Sequence, residues 1–244
     1  MASLPIPDLE TDWRYESKYR LTHPQYLQVK NAFVPYLQQD GFTKIAPAHK
    51  YLVRSLYFDT FDYQTYYEKL SGNYSRIKYR IRTYASSLDA NSVIRVELKV
   101  RQGEKTIKYG DFISPSNFQT FMQTRHFYST NPVLIEFERY TLTRILQPRL
   151  LVEYRREGFT TRDPGSVRVT FDHQVHSAQA KMLFPPKPFF HKHNASLVVL
   201  EIKHRDQQPD WIKAIIQHHG LKIVANSKYC QGIEITQPNL VNLR

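Results

Sequence analysis

The sequence predicts an α+β fold in which eight antiparallel strands close into a β-barrel and helices pack on its outside. Segments with a strand-like period alternate charged with apolar side chains. For one such strand, a charged face turned to water is the simpler interpretation. Basic residues recur on many of these strands, however, so a closed barrel with a charged lumen explains them better. At 244 residues and 41% apolar composition, the chain can form a single domain with its own core.

The first 70 residues predict two strands, each followed by a helix. Trp13 to Thr22 alternates apolar with charged side chains and is expected to be a strand. Pro24 to Gly41 has apolar residues at steps of three or four, which indicates a helix, with a kink at Pro35 as an alternative. Residues 51–59 predict a second strand, and residues 62–70 predict a short helix.

Residues 75–112 predict a meander of three antiparallel strands, at 75–84, 93–101 and 105–112. The first has one wholly cationic face, which consists of Arg76, Lys78, Arg80 and Arg82. The second has a charged face that consists of Arg95, Glu97, Lys99 and Arg101. Both strands are apolar on the other side, so each is expected to have one packed face and one charged face.

The remaining elements bring the number of strands to about eight. Ser114 and Pro115 have the residue types of an N-cap and a first turn, so a helix is expected to begin there. Three prolines and the absence of a clear period predict a loop over 181–195. The other expected elements are helices at 132–145 and 209–219 and strands at 149–157, 167–172 and 197–204.

The charge of the chain predicts an anionic partner. Thirty-four Lys and Arg against 22 Asp and Glu give a net charge of +12, with a pI of about 9.6. Charge alone fits nucleic acid, phospholipid or polyphosphate equally well. The single cysteine, Cys230, excludes an intrachain disulfide framework and favours a cytoplasmic location. No apolar run approaches the ~20 residues of a transmembrane helix, and no glycine-rich phosphate loop occurs.

A cationic lumen favours a linear phosphate chain over nucleic acid. Like charges on neighbouring strands repel, and a chain of phosphates would relieve that repulsion along its length. Duplex DNA is too wide for an eight-stranded lumen, and single strands prefer an exposed basic stripe with aromatic platforms. Phosphoryl transfer further requires a divalent cation held by carboxylates. Glu201 is the first candidate for that role, followed by Glu97 and Glu16, whose alternative role is ion pairing with lumen cations.

Eight short motifs resemble one known family. They are RYESKYRL at 14–21, SLYFDT at 55–60, RIKYRIR at 76–82, VELK at 96–99, YRR at 154–156, RVTFD at 168–172, LEIK at 200–203 and SKY at 227–229. Together they are similar to the VTC domain, the polyphosphate polymerase domain of the vacuolar transporter chaperone complex. That domain belongs to the triphosphate tunnel metalloenzyme, or CYTH-like, superfamily. The similarity spans about residues 13–232, and the ordered set is more specific than any one motif.

The resemblance implies a tunnel that binds ATP, triphosphate or polyphosphate, with Mn²⁺ or Mg²⁺ on Glu201. The expected catalytic residues are Lys18, Arg80, Arg82, Lys99, Arg156 and Arg168. The expected substrate-binding residues are Lys78, Lys108, Tyr154, Lys203, Ser227 and Lys228. Lys105 is an alternative to Lys108, because the spacing does not separate the two.

The activity implied by the resemblance is transfer of the γ-phosphate of ATP onto a polyphosphate chain. The alternatives are a tunnel triphosphatase and a binding module without turnover. Hydrolytic members of the superfamily typically begin with E-x-E-x-K, whereas this chain has Arg14-x-Glu16-x-Lys18, which favours the polymerase. We expect an extension at 1–12, one domain at 13–236 and a tail at 237–244. Coupling to transport would need a membrane-embedded partner subunit, and the oligomeric state is left open.

Overall fold

Ten antiparallel strands form one sheet in the computed structural model, which describes residues 13–162 and 167–240. The strands are β1 (Arg14–Thr22), β2 (Leu37–Gln39), β3 (Tyr51–Asp59), β4 (Ser75–Thr83), β5 (Ile94–Gln102), β6 (Lys105–Ile113), β7 (Gln147–Thr161), β8 (Val167–Gln179), β9 (His191–Lys192) and β10 (Leu197–His204). All eight predicted strands are present, and β2 and β9 are two short additions to them.

Eight of these strands close into a barrel, which confirms the predicted fold class. Their order is β7-β3-β4-β5-β6-β1-β10-β8, and β8 pairs with β7 to complete the circle. The seam between β6 and β1 is short, because only Arg14 and Tyr15 pair across it, with Thr106 and Lys105. Strands β2 and β9 extend the sheet outside this ring, beside β7 and β8.

Seven α-helices accompany the barrel in the described residues. They are α1 (His23–Phe33), α2 (Gly41–Ile45), α3 (Gln64–Leu70), α4 (Pro115–Thr124), α5 (Pro132–Thr143), α6 (Asp210–His218) and α7 (Lys228–Thr236). Side chains cap several of their first turns: Thr22 caps α1, Ser114 caps α4 and Asn131 caps α5. The predicted cap at Ser114 and proline at Pro115 are therefore confirmed.

The predicted helix over residues 24–41 is wrong in its second half. Helix α1 ends at Phe33, and β2 follows in place of further helical turns. Pro35 explains the end of the helix, because proline has no N–H to donate to the carbonyl one turn earlier. Leu37 then pairs with Thr161 on the barrel's edge.

Strand β8 is longer than predicted, and the loop at 181–195 contains a short strand. The register of β7 on β8 shifts between Glu153 and Arg155, and Gln174 has a positive φ of 51°. Such a bulge reverses the alternation of side chains, so the periodic pattern ends early although the strand continues. Within the predicted loop, His191 pairs with Ser177 as part of β9.

Two apolar cores lie outside the barrel, and a third lies within it. Helices α4 and α5 cover the outer faces of β3–β6, while α1 and α6 cover those of β1, β8 and β10. In the third core, Tyr229 and Ile233 of α7 pack among inward-facing side chains of β3 and β7. Helix α7 therefore fills part of the barrel end, where Gly232 packs closely on Leu150 and Ser177.

The predicted extension at 1–12 and the last four residues of the predicted tail lie outside the described residues. Residues Pro238–Leu240 form one turn of 3-10 helix after α7. Among the described helices, none has both the length and the apolar composition that crossing a membrane requires.

Candidate active site in the barrel lumen

The barrel encloses a cavity of about 300 Å³ with a strongly basic lining. In the described residues, twelve cationic side chains line it against two carboxylates. The cations are Lys18, Lys69, Arg76, Lys78, Arg80, Arg82, Lys99, Arg101, Lys108, Arg156, Lys203 and Lys228, and the carboxylates are Glu16 and Glu201. We refer to this cavity as the lumen chamber. This excess of positive charge creates a potential in the chamber that would attract a polyanion.

Strand alternation places these cations inside the chamber. Along β4, Ile77, Tyr79 and Ile81 belong to the core under the outer helices. The residues that alternate with these three, including Arg80 and Arg82, therefore point inward. Pairing with β5 continues the pattern, because Lys78 lies opposite Lys99, and Lys99 lies opposite Lys108 on β6.

Glu16 and Glu201 form a carboxylate pair on neighbouring strands, surrounded by lysines. Lys99 donates to Glu16 at 2.6 Å, and Lys203 lies 2.6 Å from Glu201. Lys18 contacts both carboxylates, at 3.2 Å and 3.9 Å. Burial raises the pKa of Glu16, and Glu201 adds to that rise, but Lys18 and Lys99 outweigh both and lower it to about 2. Burial likewise raises the pKa of Glu201, but Lys203 and Lys18 hold it well below its usual range.

Glu97 lies in a different environment, enclosed by arginines. Arg80 donates to it at 2.5 Å, while Arg82 and Arg95 each lie 3.8 Å from its carboxylate. Burial raises the pKa of Glu97, but Arg80 and Arg82 lower it well below its usual range. Both oxygens of Glu97 face guanidinium groups, and the residue is not part of the chamber lining.

Asp172 forms a second fully buried ion network that sequence reasoning did not assign to the site. Arg156 binds both of its oxygens, at 2.6 and 2.8 Å, and Lys228 donates to it at 2.5 Å. The ring of Tyr154 lies 5.1 Å from the Arg156 guanidinium and 4.8 Å from the Lys228 ammonium. Asp172 thus fixes two cations of the lining. Its place at the end of the RVTFD motif was the available signal.

Burial and the crowding of cations lower the pKa of several lysines. The pKa of Lys108 is held well below its usual range mainly by Lys203, and then by burial and Lys99. Burial, opposed by Glu16, lowers the pKa of Lys99 to about 8. The same field acts on Tyr57: burial raises its pKa, but Arg80, Arg82 and Lys78 lower it to about 8. An anion in the chamber would relieve this repulsion.

The start of α7 and the segment before it form one wall of the chamber. Ser227 caps α7, and its hydroxyl accepts from Lys78 at 2.7 Å. Lys18 donates to the backbone carbonyl of Asn226 at 3.1 Å and, through its own carbonyl, accepts from Val224 at 2.9 Å. Sequence reasoning missed residues 223–226, which lack a periodic pattern.

Two of the predicted site residues are not in the lining, namely Glu97 and Arg168. The Arg168 side chain is 38% exposed and pairs with Asp40 at 2.7 Å. The choice between two lysines is also clear: Lys108 lines the chamber, whereas Lys105 lies over the ring of Tyr15 at 5.3 Å. Sequence reasoning did not assign Lys69, Arg76, Arg101 or Tyr57 to the site, although Arg76 and Arg101 were on predicted charged faces.

The carboxylate pair fits a divalent cation. Among residues 13–162 and 167–240, no three His, Cys, Asp or Glu side chains form a preformed cluster. Glu16 Oε1, however, is buried and accepts no hydrogen bond of good geometry from the described part of the chain, although the Lys18 ammonium lies 3.2 Å from it. Mg²⁺ is usually held by one or two carboxylates together with waters and substrate phosphates, so a larger protein cluster is not required. Glu16 and Glu201 would supply such a pair beside the phosphate-binding cations.

A closed antiparallel barrel with a basic interior defines the class of protein, a tunnel-type β-barrel. The chain belongs to the VTC domain family, whose model matches residues 13–237. This match confirms the resemblance inferred from the eight motifs. No protein with a curated function matches the chain.

Several solved structures are similar in fold. A Bacillus halodurans protein, provisionally assigned as an adenylate cyclase, shares 14% identity over 88% of this chain and 93% of its own, with a TM-score of 0.50. The PH1819 protein of Pyrococcus horikoshii shares 12% sequence identity over 95% of this chain and 99% of its own, with a TM-score of 0.44. A Vibrio parahaemolyticus protein, also provisionally assigned as an adenylate cyclase, shares 10% identity over 96% of this chain and 99% of its own, with a TM-score of 0.46. At 14% identity, the first likeness concerns the fold alone, and it agrees with the closed barrel.

Proposed function

We propose that the chain is a metal-dependent polyphosphate polymerase, which transfers the γ-phosphoryl group of ATP onto a phosphate chain inside the barrel. The observation that carries the proposal is the lumen chamber, with twelve cations and two carboxylates in its described lining. In the reaction, the bond between the γ-phosphorus and its bridging oxygen to ADP breaks. A terminal oxygen of the acceptor chain forms the new bond, and ADP leaves.

The cations would act by positioning the phosphates and neutralising their charge. Arg80 and Arg82 offer guanidinium groups that match phosphate oxygens in pairs. Lys99 and Lys108, whose charged forms are disfavoured in the empty chamber, would gain an anionic partner. Phosphoryl transfer needs little covalent help, so fixed cations of this kind can supply most of the acceleration.

We assign the metal ligands to Glu201 and Glu16 and not to Glu97. Glu97 lies outside the chamber lining and has arginines at both oxygens, whereas Glu16 and Glu201 line the chamber on the neighbouring strands β1 and β10. A bound Mn²⁺ or Mg²⁺ would neutralise charge on the transferred phosphoryl group. Lys203 and Lys18 would hold the two carboxylates in their ionised forms. Arg168 forms a partly buried ion pair with Asp40 outside the chamber lining, so we do not assign it to the chemical step.

The extent of the cationic lining favours a phosphate chain over water as the acceptor. Lys69, Arg76 and Arg101 line the chamber beyond the cations nearest the carboxylate pair. A single triphosphate would leave these three without a role, whereas a chain would contact them as it grows. Arg14 replaces the first carboxylate of the hydrolytic pattern, which supports the same choice.

The experiment is incubation of the full chain with ATP and Mn²⁺ or Mg²⁺, with phosphate species resolved on a gel and ADP measured in parallel. Long chains with equivalent ADP are expected. Glu201→Gln should abolish both products in protein that circular dichroism shows to be folded, although loss of the buried pair with Lys203 should lower its stability. The exposed control Glu104→Gln should behave as the wild type. Orthophosphate without chains would identify a triphosphatase. Tight triphosphate binding without ADP, unchanged by Glu201→Gln, would identify a binding module.

A further inference from the structure

A larger cavity lies outside the barrel, between α4, the end of α5 and the segment that follows β8. Its volume of about 850 Å³ is within the ~300–1,000 Å³ typical of small-molecule sites. The walls include the buried side chains of Phe118, Leu146 and Leu183, together with Met122. We call this cavity the outer groove. It shares no lining residue with the lumen chamber.

Three apolar side chains at the rim of the outer groove are more than half exposed. Leu142 is 53% exposed, Met182 54% and Ile145 71%. Ile145 also has a φ of 52°, a left-handed conformation that β-branched residues rarely adopt. Ile145 lies in the turn that ends α5, where the Leu146 N–H donates to the Thr141 carbonyl at 3.0 Å. Glycine is the residue that such a turn favours, so an isoleucine is kept there at a cost in backbone strain.

A cation with one unsatisfied donor lies in the wall of the same groove, 6.0 Å from the Phe121 ring. Arg125 follows α4 in a left-handed conformation, and its Nη1 is buried without a hydrogen bond from the described residues. Burial lowers the pKa of Arg125. A buried donor is costly unless it has an acceptor. Lys181 adds a second cation to the lining, so the groove combines an apolar floor with a basic end.

We infer that the outer groove binds a single-chain amphiphile with a carboxylate head, a long-chain fatty acid. The Arg125 guanidinium presents parallel N–H donors that match a carboxylate. The hydrocarbon chain would cover Met122, Leu146 and Leu183 and would shield Ile145 from water. A second phosphate-chain site does not suit these walls, because they are mainly apolar. The inference is independent of the activity proposed for the lumen.

The test is isothermal calorimetry of the full chain with monomeric oleate, and with oleyl alcohol as the uncharged equivalent. Oleate should bind with one-to-one stoichiometry, and oleyl alcohol at least about tenfold more weakly, because one hydrogen-bonded ion pair is lost. Arg125→Gln should lower the affinity for oleate by a similar factor. Arg139→Gln is the matched control, since Arg139 lies on α5 and pairs with Glu136 outside the groove lining.

A second variant keeps the inference testable if Arg125→Gln does not fold. Ile145→Gly removes the rim side chain and relieves the backbone strain, so oleate affinity should fall while the melting temperature stays the same or rises. Triphosphate affinity should remain unchanged in both variants. Equal affinity for oleate and oleyl alcohol, or no saturable binding of either, would overturn the inference. Binding to anionic phospholipid vesicles, with no binding to monomeric oleate, would also overturn it.

Discussion

Lys203 and Glu201 lie two residues apart on β10, and their side chains form an ion pair of 2.6 Å inside the barrel. This lysine would have to share Glu201 with any metal ion, so the ammonium holds the carboxylate ionised and in place. Because Lys203 also lowers the pKa of Lys108 on β6, two strands away in the barrel, the pair connects the carboxylates to the cations that we propose bind phosphate.

Glu97→Gln should destabilise the fold, because Glu97 serves as the counter-charge to Arg80 and Arg82. Removing one partner of a buried ion pair typically costs about 3–5 kcal/mol. Chemical denaturation of the variant should show a loss of that size, with residual metal-dependent turnover in the folded fraction. A loss below about 1 kcal/mol would contradict the counter-charge role. Complete loss of turnover in a stable protein would indicate that Glu97 is a metal ligand instead.

Lys108→Met should raise stability and reduce ligand affinity. The charged form of Lys108 is disfavoured in the empty protein, and a hydrophobic replacement of similar size removes the repulsion. We expect a gain of about 1–2 kcal/mol in the free energy of unfolding and at least about a tenfold loss of triphosphate affinity. Lys105→Met is the control, because Lys105 lies outside the chamber, and it should change neither quantity. Unchanged triphosphate affinity in Lys108→Met would contradict the proposed role.

Tyr57 should titrate near pH 8, which ultraviolet absorbance of the tyrosinate can follow. Its pKa is lowered from 10 to about 8 in the folded protein, so ionised Tyr57 stabilises the fold. That stability is fully present above pH 10 and is lost as the pH falls through 8, relative to Tyr57→Phe. Triphosphate should raise this pKa, because a second anion in the chamber opposes ionisation. Triphosphate should therefore bind more weakly above pH 8. A Tyr57 pKa that triphosphate leaves unchanged would show that the ligand binds outside the chamber.

Gly232→Ala should disturb the chamber from a distance. An added Cβ would lie 2.5 Å from Leu150 Cδ2 and 2.5 Å from Ser177 Oγ, so α7 or these two buried side chains must shift, at a cost of about 1–3 kcal/mol. Because Ser227 and Lys228 begin that helix, triphosphate affinity should fall together with stability. Gly41→Ala is the control, since nothing lies within 4 Å of its added Cβ. A stable Gly232→Ala protein with normal affinity would show that α7 does not position the site.

The barrel and its basic lining were predictable because alternation records which side of a strand faces the lumen. Lys78, Arg80 and Lys99 are examples, since each lies between residues that pack outward. The end of α1 at Phe33 was missed because the apolar spacing continues past Pro35. The wall formed by residues 223–226 has no period, so only the fold brings it beside Lys18. Burial of Asp172 between Arg156 and Lys228 depends on contacts between β8, β7 and α7, which are far apart in the sequence.

The most direct measurement is a crystal structure of the chain with triphosphate and Mn²⁺. We expect a linear triphosphate inside the barrel, with phosphate oxygens bonded to Arg80, Lys99 and Lys228 and the metal on Glu201. Triphosphate bound on the outer surface, or a chamber that stays free of it at saturating concentration, would contradict phosphate binding in the lumen chamber.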